Sequence, residues 1–265
     1  MSDVPAGDDF VYVVIRVPKS GSTSLANMMR DTLASAQVFD MPTDAAAHVA
    51  YPLVQRLRLA RRRLRHLRRL FGTTSMDQAW RTVAARARPG DVVTGHIRFG
   101  DAVLPGFVER NISLVREPVA RALSQYNYSR EGFAKRGGLQ RFLHRGPLQA
   151  ASRYDFSGYL SYLDEHRAAY GDVAVRYVCG DTPMGDPLAF IRRHYFHIGT
   201  LENLDTCLGS LGRKLGVTVA ARRDNVTTRQ DATGLRATDR PVFERVFGGD
   251  IALYEAVRKL EAEGG

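Results

Sequence analysis

The stretch that decides the fold runs from Phe10 to Ser24 and reads FVYVVIRVPKSGSTS. Its first part, Phe10 to Val17, is a short, β-branched, nearly continuous apolar run. That pattern predicts a strand buried on both faces of a parallel sheet. Pro18 to Ser24 (PKSGSTS) is a turn of small polar residues. Leu25 to Ala36 then reads as a helix, with Leu25, Met28, Met29, Thr32 and Leu33 on one side. A turn of this kind presents backbone N–H groups at a helix N-terminus, where phosphate or sulfate oxygens bind. Gly21 permits close backbone approach. Ser20, Ser22, Thr23 and Ser24 bring hydroxyls, and Lys19 adds a point charge. The nucleotide-triphosphatase pattern G-x-x-x-x-G-K-[ST] is absent, because Lys19 precedes the glycine, and no G-x-G-x-x-G follows the strand. Taken alone, the stretch also fits a plain strand-to-helix turn carrying one surface lysine.

Working outward, the same alternation recurs. Asp91 to Ile97 (DVVTGHI) and Asn111 to Arg116 (NISLVR) read as strands, and a helix follows from about Pro118 to Arg130. Val173 to Val178 (VAVRYV) and His197 to Leu201 read as two more strands. Helices are expected at Met76 to Ala87, Phe156 to Tyr170, Leu204 to Leu215, Pro241 to Phe247 and Ile251 to Ala262. Residues 131–153 read as a loop with one helical turn. Strands alternating with helices predict an α/β fold of three layers, a mainly parallel central sheet with helices on both faces. With neither an internal repeat nor a convincing linker, residues 1–265 read as a single domain behind a loose tail at 1–9.

The chain has 265 residues, enough for a buried core, and a hydrophobic fraction of 44% that argues against general disorder. Its formal net charge of +10 predicts anionic partners. Eight arginines between Arg56 and Arg69, with no acid among them, carry most of that excess. Pro52 to Phe71 reads as an Arg-rich helical insertion with a Leu stripe. Its readings are a solvated surface helix, an electropositive wall for a polyanionic glycan, or a peripheral membrane contact. Cys179 and Cys207 are too few for a disulfide framework and read as small core residues. The acidic start MSDVPAGDDF has no apolar region of a secretory signal, and no run reaches the roughly 18 apolar residues that span a bilayer. The expectation is a cytoplasmic protein, and the Ala- and Arg-rich composition suits a bacterial source.

A second motif, NISLVREPVARALSQY, repeats the strand–turn–helix plan. Arg116 ends the strand, and Ser124 lies eight residues on, two turns into the helix. Arg116 can fork onto a phosphate that Ser124 also reaches. By residue type alone, Arg116 pairing with a nearby acid fits equally well.

Together VPKSGSTSL and LVREPVARALSQY resemble the sulfotransferases that use 3′-phosphoadenosine-5′-phosphosulfate (PAPS). RVPKSGSTS with Gly95-His96 after a strand is most similar to the carbohydrate branch, within it the uronyl/heparan 2-O-sulfotransferases. HIGTLENLDTCL and RRDNVTT extend the likeness over most of the chain. The resemblance implies a P-loop-like sheet and a 5′-phosphosulfate loop at Lys19, Ser20, Gly21, Ser22, Thr23 and Ser24. It implies a 3′-phosphate site at Arg116 and Ser124, completed by Arg222 and Arg223. Lys19 would stabilise the departing phosphate, and His96 would be the base that takes the acceptor's proton. Arg16 and Arg98 are candidates for the acceptor, a glycan or a small hydroxylated molecule. Two departures stand out: Leu25 replaces the tryptophan usual in the cytosolic aryl and alcohol enzymes, and Thr94-Gly95-His96 replaces His-Gly-His. No metal is implied and no nucleic acid. His194 and His197 read as structural or surface residues, and Tyr126 and Tyr128 as packing residues. Two competing readings are a P-loop-like nucleotide kinase and a non-enzymatic polyanion-binding module.

Overall fold

The computed structural model describes residues 9–33, 35–42, 76–102, 104–135, 146–218 and 234–264. Five strands form one sheet: β1 (Phe10–Ile15), β2 (Val38–Asp40), β3 (Val92–Gly95), β4 (Val108–Val115) and β5 (Tyr195–Thr200). Their order is β2-β3-β1-β4-β5, and every neighbouring pair is parallel. The α/β architecture expected from the alternation is the one observed.

Residue alternation along β1 sorts the core into two faces. Val11, Val13 and Ile15 point to one side. There they meet Trp80 and Val83 of α2 (Met76–Arg86) and Leu253 and Val257 of the C-terminal helix α10 (Arg240–Ala262). Tyr12 and Val14 point to the other. That side is covered by Leu25, Met28 and Met29 of α1 (Ser22–Thr32) and by Cys207, Leu208 and Leu211 of α9 (Leu204–Leu215). Burial on both faces explains why the strand sequence is continuously apolar. Cys179 and Cys207 are both buried free thiols, as core residues should be.

A third cluster lies among helices. It joins Ala122 and Tyr126 of α3 (Pro118–Ala134), Ala150 and Ala151 of α4 (Pro147–Arg153), Tyr159 and Leu160 of α5 (Phe156–Glu165), and Phe243 and Phe247 of α10. A buried ion pair, Arg121 to Asp250 at 2.6 Å, ties α3 to α10 beside this cluster.

Several elements differ from expectation. Val173–Val178 is not a strand but a short helix, α7, which follows the one-turn helix α6 (Arg167–Tyr170). Asp172 enters it with a left-handed φ of 43°. Ala174 and Val178, four residues apart, are its buried side, and Val175 N–H donates to Asp250 at 3.0 Å. Tertiary packing against α10 overrides the β-branched preference of VAVRYV. The expected helix at 156–170 breaks at His166 into α5 and α6. The two expected C-terminal helices are one span, α10, kinked at Phe247. The strand β2 and the helix α8 (Pro187–His194) have no counterpart in the expectation. The Arg-rich segment at 52–71 lies outside the described residues.

Register aligns the carboxyl ends of the central strands. Ile15 pairs with Gly95 on one side and Ser113 on the other, so β1 and β3 end level and β4 runs two residues further, to Val115. The segments that follow, with Lys19, His96 and Arg116, leave the same edge. The chain fills the β2–β3 side of β1 before crossing to β4. Ligands of open α/β sheets bind at such a reversal, outside the carboxyl ends.

Candidate functional site

The loop after β1 is built around the carbonyl of Val17. Ser20 Oγ and Ser22 Oγ both donate to it, at 2.8 and 2.9 Å, and both side chains are buried. Two serines thus close the turn from within. Lys19 and Gly21 are left-handed, with φ of 66° and 72°. A Cβ on Gly21 would lie 2.6 Å from Leu201 Cδ1, so the leucine tip would have to shift, and the positive φ also favours glycine there. Lys19 has no such excuse, and its conformation is strained. The strain is held by contacts on either end of the residue. Gly21 caps α1, whose first turn holds no acidic residue. Ser24 N–H already donates to the Gly21 carbonyl at 3.0 Å, which leaves the amides of Ser22 and Thr23 to open the helix, and the helix dipole favours an anion at this end.

Lys19 and Arg116 meet at this loop. Arg116 Nη1 donates to the Lys19 carbonyl at 3.4 Å. The Lys19 ammonium stands over the ring of Tyr128, 4.1 Å from its centroid. Burial lowers the Lys19 pKa, the Arg116 charge lowers it further, and Glu131 opposes both. Ser124 sits part-buried on α3, one turn before Tyr128. The N-terminus of α3 itself is filled by its own acid. Glu117 accepts from Val119 N–H at 3.0 Å and from Ala120 N–H at 2.6 Å. An anion at this second motif therefore depends on the Arg116 and Ser124 side chains and not on helix amides.

Arg16 links the loop to His96. Its side chain donates from Nη2 to Thr23 Oγ1 at 2.8 Å. Its backbone N–H donates to the Gly95 carbonyl at 2.9 Å, and its carbonyl lies 2.7 Å from His96 Nδ1. A carbonyl only accepts, so Nδ1 carries the proton and the neutral ring keeps its basic lone pair on Nε2. Arg16 Nε is buried and has no hydrogen-bond partner among the described residues. Burial lowers the Arg16 pKa, with Asp40 opposing and Arg30 adding to it. A half-buried guanidinium with an open donor suits an anionic ligand.

Arg98 stands elsewhere in the charge map. It pairs with Asp101 at 3.2 Å and Asp181 at 2.9 Å, and its charge is locally offset. Tyr126 is buried and packs on Phe156 and Tyr159, as expected. Tyr128 is not a packing residue: it is 56% exposed and faces Lys19. Only its position one turn after Ser124 could have pointed to it in the sequence. His197 is structural, buried against Cys207. Arg222 and Arg223 lie outside the described residues. Among the described residues, no group of three or more His, Cys, Asp or Glu is placed to hold a metal ion. None of the described helices is long and apolar enough to cross a membrane.

No protein-family model matches the sequence, and no curated protein is similar to it at a significant level. Among solved structures, the chain is similar to mouse sulfotransferase SULT7A1 complexed with PAP, with 12% identity and a TM-score of 0.33. The match takes in 91% of this chain and 63% of that one, so the chain spans less than two thirds of that neighbour's length.

Proposed function

We propose that the protein transfers a sulfuryl group from PAPS to a hydroxyl of an acceptor, which we read as a carbohydrate. The observation that carries the reading is the meeting of Lys19 and Arg116 at one small-residue loop, with Arg116 bonded to the Lys19 carbonyl. Two motifs 97 residues apart thereby make one cationic site at the carboxyl edge of a parallel sheet. The donor set fits a nucleotide with two anionic groups: one ammonium, two guanidiniums, and the N-terminus of α1.

PAPS would supply the sulfuryl group and leave as the 3′,5′-bisphosphate. Lys19 would neutralise charge on the oxygen that departs, and the opening amides of α1 would hold the 5′ end. Arg116 and Ser124 would read the 3′-phosphate. His96 Nε2 would take the proton of the attacking hydroxyl, its ring fixed by the Arg16 carbonyl. Arg16 would hold Thr23 in the loop and turn its Nε toward an anion. The carbohydrate acceptor rests on the likeness of RVPKSGSTS and Gly95-His96 to that branch. A kinase reading places its lysine after the loop glycines, and Lys19 lies before Gly21.

The test is a transfer assay with labelled PAPS against a panel of glycans and small alcohols. Label should pass to an acceptor with the native protein and not with Lys19→Ala. Failure of PAPS to bind overturns the reading.

A further inference from the structure

We infer that Tyr128 is a positioning residue for Lys19, its ring face holding the ammonium at the mouth of the loop. The inference rests on the transfer reading above for its kinetic consequence, but its geometry stands apart from it.

Three observations carry it. The first is contact: the Lys19 Nζ lies 4.1 Å from the centre of the Tyr128 ring, within cation–π range. The second is exposure. Tyr128 is 56% exposed whereas Tyr126, two residues earlier on the same helix, is 1% exposed. Two residues on a helix point to nearly opposite sides. Tyr126 spends its ring on the core and donates its hydroxyl proton to the Tyr154 carbonyl. Tyr128 keeps its ring outside, against the lysine. Burial does not account for an aromatic side chain placed this way.

The third observation is alignment. Ser124, Tyr128 and Glu131 fall at helical spacings of four and three and share one face of α3. That face looks toward the loop, since Glu131 acts electrostatically on Lys19 and Tyr128 touches it. Among the described residues, the charged groups that act on the ammonium are Arg116, just after β4, and Glu131, from α3. Glu131 is drawn toward Lys135, its partner at 2.6 Å. No carboxylate pins the ammonium directly in an ion pair among the described residues. A ring face attracts the cation while leaving its charge unneutralised, which a carboxylate would not do. Lys19 is thus fixed at both ends: its carbonyl by Arg116 and its ammonium by Tyr128.

The test compares Tyr128→Phe with Tyr128→Leu, the first keeping a ring and the second only bulk. The chain has four lysines, Lys19, Lys135, Lys214 and Lys259, so a spectrum of protein labelled at lysine Cε is readily assigned. The Lys19 ε-protons should be displaced upfield by the ring current in the native protein and in Tyr128→Phe, and not in Tyr128→Leu. In PAPS-dependent turnover Tyr128→Leu should lose kcat by about two- to fivefold, the worth of an exposed cation–π contact, with the KM for PAPS kept. Tyr128→Phe should keep native kcat. An undisplaced Lys19 signal in the native protein overturns the inference. So does a Tyr128→Leu variant with native kcat, or one whose only change is a higher KM. If the native protein transfers no label from PAPS, the function falls, and the ring-current shift still decides whether Tyr128 holds Lys19.

Discussion

His96 Nδ1 lies 2.7 Å from the backbone carbonyl oxygen of Arg16, the residue whose side chain also holds Thr23 of the loop after β1. One residue thus orients the candidate base with its main chain and the loop with its guanidinium. The hydrogen bond uses the main chain of Arg16, so the ring orientation survives changes to its side chain.

Removal of the base should separate binding from chemistry. His96→Ala is expected to bind 3′,5′-ADP like the native protein and to lose about 10²- to 10⁴-fold in kcat, the usual worth of a positioned base. Steady-state kinetics beside calorimetry with 3′,5′-ADP checks this. Weakened nucleotide binding would show that His96 belongs to the donor pocket.

A side chain at Gly21 is strained. Gly21→Ala must adopt φ near 72° and push Leu201 Cδ1 away from 2.6 Å. The expected cost is about 1–3 kcal/mol of stability, read by thermal unfolding. Pairing it with Leu201→Ala should relieve the clash but not the backbone strain, so stability returns only in part beyond the loss that Leu201→Ala causes alone.

The Arg121–Asp250 pair is a second weak point, because both side chains are almost wholly buried. Burial pushes the Asp250 carboxyl up, while Arg121 and the Val175 amide hold it down. Arg121→Met leaves a buried carboxylate without its cation and should cost about 3–5 kcal/mol in denaturant unfolding. Arg121→Met with Asp250→Leu should be less destabilised than Arg121→Met alone. A double variant as unstable as the sum of the two singles would deny the coupling.

His197 should make stability fall in mild acid. Its pKa is lowered to about 4, chiefly by burial and then by the Lys214 charge. Its unfolded value is near 6.5. Below about 6.5 the unfolded chain gains a proton that the folded chain refuses. Stability therefore drops as pH falls from about 6.5 toward 4, by roughly 2 kcal/mol between pH 6.5 and 5. Unfolding free energies at those two pH values, for the native protein and His197→Gln, measure it. The variant should show a shallower slope.

The sheet was legible where its strands were long and apolar. FVYVVIRV and NISLVR announced themselves because both faces of β1 and β4 are covered. Val38–Asp40 is three residues long, too short for any period to register. VAVRYV misled because its conformation is decided by Asp250 and α10, far along the chain. The Lys19 and Arg116 motifs were readable as separate loops, and the parallel pairing of β1 with β4 brings them together. What the sequence could not carry was the pairing of side chains. Asp181 meets Arg98 across 83 residues. The left-handed turn at Lys19 and the ring beneath its ammonium likewise depend on contacts that only folding makes.

In the proposed function Lys19 and Arg116 form one site for a 3′-phosphorylated nucleotide. Calorimetric titration of 3′,5′-ADP and of 5′-AMP into the native protein and into Arg116→Ala tests it most directly. The native protein should bind 3′,5′-ADP more tightly than 5′-AMP. Arg116→Ala should lose about tenfold or more for 3′,5′-ADP alone, the worth of a charge-assisted contact. Equal binding of both nucleotides by the native protein, or no binding of 3′,5′-ADP, would contradict it.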